Sequence, residues 1–258
     1  MQIHVVRAGQ TLLSISYNFN KIFSISSGLD GILIPNLHKA LYVTTSYLIM
    51  TFYDLKEKHG KLKKLDGGAL FKTAPYNIFG SDTHRYKFNP CLTEDTIQSF
   101  EKSYSFILPA DYKYFLTQIG NGGSGPAYGL FPLADWDFEL DINDHNFLST
   151  DFPHLDKWNP VQDFDTEDED YTETDDFKKW EENYFSNRHV TGSLRICHYG
   201  CAIYYLLVVT GKNAGQIWVD DRANDCGIYP AISKSTGRRL TFLEWYNEWL
   251  TDSLKHFA

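Results

Sequence analysis

The chain has 258 residues and a formal net charge of −9, and 43% of its residues are apolar and 16% aromatic. This apolar fraction supplies a core and excludes a chain that is disordered throughout. The apolar runs, such as residues 203–209, are too short for a membrane-spanning helix, which requires about 20 apolar residues. Because no basic segment followed by an apolar stretch opens the chain, we expect no signal peptide, no membrane partner and a cytoplasmic protein.

The first 46 residues open with IHVVRAGQTLL, residues 3–13. Thr11 suits the N-cap of a helix whose inward face carries Leu12, Ile15 and Phe19. Residues 34–35 and 41–43 close the segment. These residues resemble a LysM module, so we expect residues 1–46 to form a small unit in the order strand, helix, helix, strand. The resemblance also implies binding of peptidoglycan or of a chitin-like polymer of N-acetylglucosamine.

The LysM resemblance implies glycan-binding positions in three stretches of this segment. They are Gly9, Gln10, Thr11, Leu12, Gly28, Leu29, Pro35 and Asn36. The segment departs from the LysM pattern at three places. Gln10 replaces the usual Asp, residues 27–28 replace the usual Asn, and Asn36 replaces the usual Gly. Two interpretations therefore stay open: a glycan-binding module, and a docking module that has lost its glycan function.

Residues 47–258 contain amphipathic patterns that predict helices. The first pattern surrounds residues 48–55. The second spans residues 93–104 and begins with a threonine that suits the N-cap. The third begins after Pro109, which suits a first helical turn, and ends at Gly120.

The C-terminal stretch TFLEWYNEWLTDSL, residues 241–254, is the clearest predicted helix. Thr241 and Glu244 form a capping box at its start. Its apolar residues fall on a single stripe that we expect to dock on the core. They are Phe242, Trp245, Tyr246, Trp249 and Leu250.

Three stretches rich in β-branched and aromatic residues predict strands. They are Leu194–His198, Ala202–Val209 and Gln216–Asp220. Short turns join them, so we expect antiparallel pairing. Because helices cluster before and after these strands, the predicted fold class is α+β.

The stretch NGGSGPAYGLFPL, residues 121–133, is rich in glycine, and we name it the glycine loop. A dinucleotide-binding fingerprint would need a glycine where Tyr128 stands and a strand before it, whereas a helix is predicted there. A P-loop would need Lys followed by Ser or Thr. A nucleophile elbow would need a glycine where Pro126 stands. The glycine loop is therefore predicted to be a turn in the scaffold.

Several motifs, in this order along the chain, resemble the SUKH superfamily. They are HRYKFNP, LPADYKYFL, NGGSGPAYGLFPL, LRICHYGCAIYYLLVV, GQIWVDDR and EWYNEWL. The resemblance implies that residues 47–258 form a central, mostly antiparallel sheet flanked by helices, without catalysis. Bacterial members are similar to immunity proteins that neutralise secreted polymorphic toxins, often nucleases. Since different members serve different toxins, the shared motifs imply a scaffold and identify no binding residue.

The negative charge is concentrated in residues 163–182, the acidic segment, which holds eleven carboxylates and two lysines. Its net charge equals that of the whole chain. Three interpretations stay open: a solvated loop, a surface for a basic partner, and a calcium loop, which lacks its glycine because Asp168 stands there. As a surface, the segment offers the candidate partner-binding residues Asp163, Asp165, Glu167, Asp168, Glu169, Asp170, Tyr171 and Trp180.

No catalytic constellation can be named from the sequence. The histidines form no H-E-x-x-H motif, and Cys197, His198 and Cys201 lack the further ligands that a zinc site needs. We therefore expect no enzyme, metal site or cofactor. The favoured function is an immunity protein that binds a basic protein toxin and no nucleic acid. Two alternatives stay open: a cell-wall or spore-associated protein that holds peptidoglycan through residues 1–46, and an enzyme.

Overall fold

The computed structural model describes residues 2–4, 14–16, 52–67, 76–160, 164 and 170–258. These residues belong to two compact units, Met1–Asp54 and Leu55–Ala258. The first unit contains two short strands. The second contains the main sheet and its helices.

In the first unit, β1 (Gln2–His4) and β2 (Ser14–Ser16) pair antiparallel, with Ile3 opposite Ile15. The LysM resemblance predicts a helix from Thr11 through these positions, and at Ser14–Ser16 that prediction is wrong. Serine disfavours helix interiors and the β-branched Ile15 favours a strand, so local preference supports an extended chain here. The eight predicted glycan-binding positions lie outside the described residues, and the LysM module stays a prediction.

The helices are α1 (52–67), α2 (Ser81–His84), α3 (Glu94–Tyr104), α4 (Ala110–Gln118), α5 (Asp175–Phe185) and α6 (Phe242–Lys255). The hydroxyls of Thr93, Thr174 and Thr241 cap α3, α5 and α6 by accepting a backbone N–H of the first turn. The predictions of α3, α4 and α6 are confirmed, as is the capping box of α6. The helix α5 was not predicted.

The strands β3 (Ser193–Gly200), β4 (Ile203–Val208), β5 (Ile217–Asp221) and β6 (Gly227–Pro230) form one antiparallel sheet in that order. The first three confirm the predicted strands with small shifts at their ends. The fourth was missed because it is short and ends in a proline, which argues against a strand. The α+β class, with an antiparallel sheet flanked by helices, is confirmed.

The glycine loop extends the sheet beyond β3. Gly123 bridges Leu130 on one side and Phe88 on the other, and Leu130 bridges Cys197 of β3. Two hydrogen bonds of 2.8 and 2.7 Å join Gly123 and Leu130. Gly123 has a φ of +94°, and a Cβ atom there would lie 2.4 Å from the carbonyl oxygen of Lys87. The loop is thus glycine-rich because its backbone packs against backbone, in agreement with the predicted scaffold role.

Ser124, the next residue of the glycine loop, fastens two helices to this edge of the sheet. Its hydroxyl lies 2.9 Å from Nε2 of His59 on α1. Its carbonyl accepts a hydrogen bond of 2.8 Å from the Tyr246 hydroxyl on α6. All three residues are buried, so these bonds form away from water, where a lost partner costs about 1–3 kcal/mol.

Polar side chains also occupy the inward face of α1, which explains why only its beginning was predicted. Asp66 accepts hydrogen bonds from Asn77, Tyr86 and Ser81. Burial opposes the ionisation of Asp66, but these hydrogen bonds outweigh burial and lower its pKa from 3.8 to about 2. The carboxylate therefore holds the chain that follows α1 against the helix.

The helix α6 packs on α4 through aromatic rings. The ring of Phe115 contacts the rings of Phe242 and Tyr246, with centroids 5.2 Å apart in both pairs. Phe242, Tyr246 and Leu250 are fully buried. Trp249, which was predicted to face the core, is only half-buried and borders an open groove.

We expect Gly123→Ala to destabilise the fold more than Gly215→Ala. The φ angles are +94° and +90°, so both variants share a strain of about 1–3 kcal/mol. Only at Gly123 does the added Cβ collide with backbone, because Gly215 has open space around it. Urea unfolding of the two variants measures the difference. Equal losses would show that the φ angle alone requires a glycine.

Three buried histidines predict a loss of stability in mild acid. Burial is the main cause that lowers the pKa of His59, His84 and His154 from 6.5 to about 4. Since these pKa values are lower in the folded state, the unfolded chain binds more protons between pH 6.5 and about pH 4. The contribution of these histidines to the free energy of unfolding therefore falls as the pH drops through this range.

The variant His59→Gln isolates one of these contributions. Between neutral pH and about pH 5, it should lose less stability than the wild type in urea unfolding, because one titrating group is gone. His145 is exposed, so His145→Gln is the control and should keep the wild-type loss. An unchanged pH dependence in His59→Gln would contradict the assignment.

Candidate partner-binding surfaces

The helix α5 turns part of the acidic segment into an ordered surface. Thr174 begins it, with its hydroxyl 3.2 Å from the N–H of Phe177. Phe177, Trp180 and Tyr184 follow at helical spacing and share one face. The solvated-loop interpretation is therefore wrong for residues 175–182 of the acidic segment. The capping threonine and this spacing are the signals in the sequence that could have revealed the helix.

A stack of aromatic rings joins α5 to the sheet. The ring of Trp180 lies on that of Tyr184, with centroids 4.9 Å apart, and Tyr184 stacks on Trp158 at 5.4 Å. Trp158 stacks in turn on His189 at 4.0 Å and pairs its backbone with Ile228 of β6. Aromatic pairs of this kind add about 0.5–1.5 kcal/mol each to the burial of their area. The stack thus fixes the position of α5 on the domain.

A buried ion pair holds the C-terminal end of α5. Arg222 donates two hydrogen bonds to the carboxylate of Asp220, from Nε at 2.7 Å and from Nη2 at 2.8 Å. Its Nη1 donates to the carbonyls of Tyr184 and Ser186 at 2.9 and 3.1 Å. A cation at this position also complements the helix dipole. The pair therefore links β5 directly to the end of the helix.

A second arginine, Arg195 of β3, lies on the other side of the same carboxylate. Its Nη2 is 3.6 Å from Oδ2 of Asp220, and its guanidinium carbon is 3.9 Å from the ring centroid of Tyr204. Burial lowers the pKa of Arg195. Burial, together with the hydrogen bond that Tyr204 donates to Glu139, raises the pKa of Tyr204 to about 12. The carboxylate of Asp220 therefore lies close to the guanidinium groups of both buried arginines.

The outward face of α5 exposes four carboxylates and two lysines, an excess of two negative charges; they are Asp175, Asp176, Glu181 and Glu182, with Lys178 and Lys179. Asp175 and Asp176 lie in the first turn, where negative charge stabilises the helix. Glu181 and Glu182 lie beyond the first turn, so the helix dipole does not explain them. Both carboxylates are exposed, so they are accessible to solvent or to a basic group of a partner.

Three of the predicted partner-binding residues lie in the described part of the chain. Asp170 is exposed, Tyr171 begins the 3-10 turn Tyr171–Glu173, and Trp180 is half-buried in the stack. Among these residues, Nε1 of Trp180 is a buried donor for which the described residues provide no acceptor. The other five, Asp163, Asp165, Glu167, Asp168 and Glu169, lie outside the described residues.

A second surface is an open groove of about 630 Å³ between the sheet and α6, and we name it the aromatic groove. Its floor is a row of Tyr205, Val219 and Tyr229 on three neighbouring strands. The wall on α6 is formed by Trp245 and Trp249. The groove was not predicted from the sequence, because aromatic residues in strands and in a helical stripe also fit a closed core.

Phe79 and Tyr199, which also line the groove, belong to an exposed cluster of aromatic rings. Phe79 contacts Tyr128 and Tyr199 with centroids 5.3 Å apart in both pairs. Phe79 is 54% exposed, Tyr128 40% and Tyr199 44%. An exposed apolar patch of this kind typically marks an interaction surface.

Ser124 and His59 resemble a nucleophile and its base by distance alone. Their hydrogen bond of 2.9 Å lies inside the fold, where Ser124 has no exposed surface. Burial lowers the pKa of His59 to about 4. In the described part of the chain, no group of three or more His, Cys, Asp or Glu side chains is arranged to hold a metal ion. The Ser124–His59 pair therefore has a structural role, because its hydrogen bond holds α1 against the glycine loop.

The SMI1 / KNR4 family (SUKH-1) matches the chain over residues 91–235, which is more than half of its length. The chain belongs to this family. No curated protein and no solved structure matches it. Membership of SUKH-1 confirms the SUKH part of the predicted resemblance and supports a binding or immunity-type role in general.

The SUKH-1 match contains α5, the glycine loop and all four strands of the main sheet. The acidic face therefore lies inside the matched residues, whereas Phe79 and the α6 wall of the aromatic groove lie outside them. None of the helices among the described ranges is long and apolar enough to cross a bilayer.

We expect Asp220→Asn to destabilise this SUKH-1 protein by about 3–5 kcal/mol, since it leaves two buried arginines without a carboxylate. Protection of the α5 amides from hydrogen exchange should fall with it, because Arg222 holds the end of that helix. Urea unfolding and amide exchange measure the two effects. Asp225→Asn, at an exposed position, is the matched control and should change neither.

Proposed function

We propose that this SUKH-1 protein is a non-enzymatic immunity protein that binds and neutralises a basic protein toxin through its acidic segment. The observation that carries the proposal is the ordered face of α5, on which four carboxylates outnumber two lysines, all of them exposed. The buried Arg222–Asp220 pair and the aromatic stack hold this face in place.

The charge of the acidic segment suits a toxin that acts on nucleic acid. A nuclease carries a basic surface because it binds phosphates. Carboxylates that face such a surface speed the encounter and can occupy the place of the phosphates. Since α5 is already ordered, its carboxylates require little further ordering when they bind.

Trp180 adds an apolar anchor beside these carboxylates. Its ring is half-buried. Tryptophan is enriched among residues that dominate binding energy at interfaces. We propose that a toxin covers the exposed part of this ring.

A binding role without catalysis accords with the one serine–histidine pair noted above. A nucleophile must be reached by its substrate, and Ser124 is fully buried. The same hydrogen bond has a clear structural purpose, since it fastens α1 to the glycine loop.

The double variant Glu181→Gln/Glu182→Gln should slow association with the cognate toxin by about tenfold at low salt, with little change in the rate of dissociation. The difference should shrink at high salt, because the Debye length falls from about 10 Å at 0.1 M to about 3 Å at 1 M. Stopped-flow association at several salt concentrations measures both effects, with a basic nuclease toxin that the wild type binds as partner.

The control Glu57→Gln/Asp144→Asn removes the same charge from two exposed positions elsewhere, and it should keep the wild-type association rate within about twofold. Co-expression tests the role in cells: the wild type should restore growth to cells that make the toxin. No rescue would contradict the immunity role. Equal slowing by both double variants would assign the effect to net charge and not to α5.

A further inference from the structure

The aromatic groove shares no residue with the acidic segment, and the proposed function does not use it. Its lining is unusual in composition, because six aromatic residues face one open space. They are Phe79, Tyr199, Tyr205, Tyr229, Trp245 and Trp249. We propose that this groove binds a proline-rich segment of a partner protein in the extended polyproline II conformation, with a basic residue beside the prolines.

The aromatic lining favours this ligand over an amphipathic helix. Polyproline II segments dock in grooves lined by aromatic residues, whereas helices lay an apolar face into general hydrophobic grooves. A polyproline II backbone forms no internal hydrogen bonds, so its carbonyls need donors. Tyrosine and tryptophan supply such donors from the same rings that pack against proline. In this groove Tyr199 and Trp249 can do so, whereas the Tyr229 hydroxyl already donates to Asp221 at 3.1 Å.

The rings of the groove are already fixed by contacts with each other. Tyr205 contacts Trp245 with centroids 4.9 Å apart, and Tyr199 lies 6.2 Å from Tyr205. Phe79 is braced by Tyr199. A preformed groove and a stiff ligand both reduce the entropy that binding removes. This match between a rigid site and a rigid ligand is a second reason for the proposal.

The charge at one end of the groove calls for a basic residue. Glu248 and Asp252 lie one helical turn apart on α6 and line the groove together with Lys234. The side chain of Lys234 is 87% exposed, and its Nζ lies 3.7 Å from Oδ2 of Asp252. The backbone N–H of Lys234 donates a hydrogen bond of 2.9 Å to Oε1 of Glu248. Asp252 is also paired with Lys255 at 2.8 Å. The carboxylate offered to a ligand is therefore that of Glu248, whose Oε2 is placed to accept from an arginine or lysine.

An array of ten-residue peptides tests the proposal with the full chain as the labelled protein. Each peptide contains a Pro-x-x-Pro core with an arginine before or after it, and each has a matched copy with alanine in place of every proline. We expect a subset of the proline peptides to bind at least about tenfold more tightly than their alanine copies. The best peptide is then titrated against the variants.

Tyr199→Ala should weaken this peptide about tenfold or more, as expected for an aromatic anchor. Leu155→Ala, at a residue that is 52% exposed outside the groove, is the control and should not change binding. Glu248→Gln should weaken the arginine peptide but not a copy with glutamine in its place. Thermal melting checks that each variant is folded, and the α5 variant Glu181→Gln/Glu182→Gln should bind the peptide as the wild type does.

The proposal is overturned if no proline peptide binds better than its alanine copy, or if Tyr199→Ala leaves binding unchanged. If the alanine copies bind more tightly than the proline peptides, the groove binds a helix. If the wild type self-associates in sedimentation experiments and Tyr199→Ala does not, the groove binds a second copy of the chain. Because toxin binding is measured separately, failure of either proposal leaves the other intact.

Discussion

The double pairing of Gly123 with Leu130 and Phe88 is the contact on which the rest of the large unit depends. It joins the chain around residue 88, the glycine loop and β3 into one continuous layer. The neighbouring Ser124 then ties α1 and α6 to that layer through buried hydrogen bonds. Only a residue without a Cβ atom fits at this point, because backbone meets backbone there.

Charged side chains lie in two contrasting environments in this protein. Inside, Asp220 is surrounded by Arg195 and Arg222, so that each buried cation has a carboxylate within reach. Outside, α5 leaves its carboxylates exposed. The interior pair also positions the exterior charges, since Arg222 grips the carbonyls at the end of the same helix. The proposed partner surface is thus built on a buried network that stabilises the fold.

Much of the fold follows from periodicity and capping. The threonine caps of α3 and α6, the apolar stripe of α6 and the three long strands are local patterns, and the structure confirms them. The end of α1 was missed because its inward face carries His59 and Asp66, whose burial depends on partners distant in sequence. The helix α5 was missed because its acidic residues outweighed the spacing of Phe177, Trp180 and Tyr184.

The candidate sites were less predictable than the fold. The acidic segment is visible as a charge run, but its ordered face depends on Trp158, His189 and Arg222, which come from three other parts of the chain. The aromatic groove joins residues of α6 with residues of three strands and with Phe79. No local pattern distinguishes those rings from core residues, since only the assembled fold leaves them facing an open space.

Both margins of the main sheet are closed to strand addition. Along β3, Leu130 occupies the place of a further strand, and along β6, the N–H and carbonyl of Ile228 are bonded to Trp158. The next outward position on β6 is Pro230, which has no N–H to offer. Open edges are templates for aggregation, so closed margins protect the sheet against pairing with another chain. A partner of the kind proposed would therefore contact side chains of the domain and not the backbone edge of a strand.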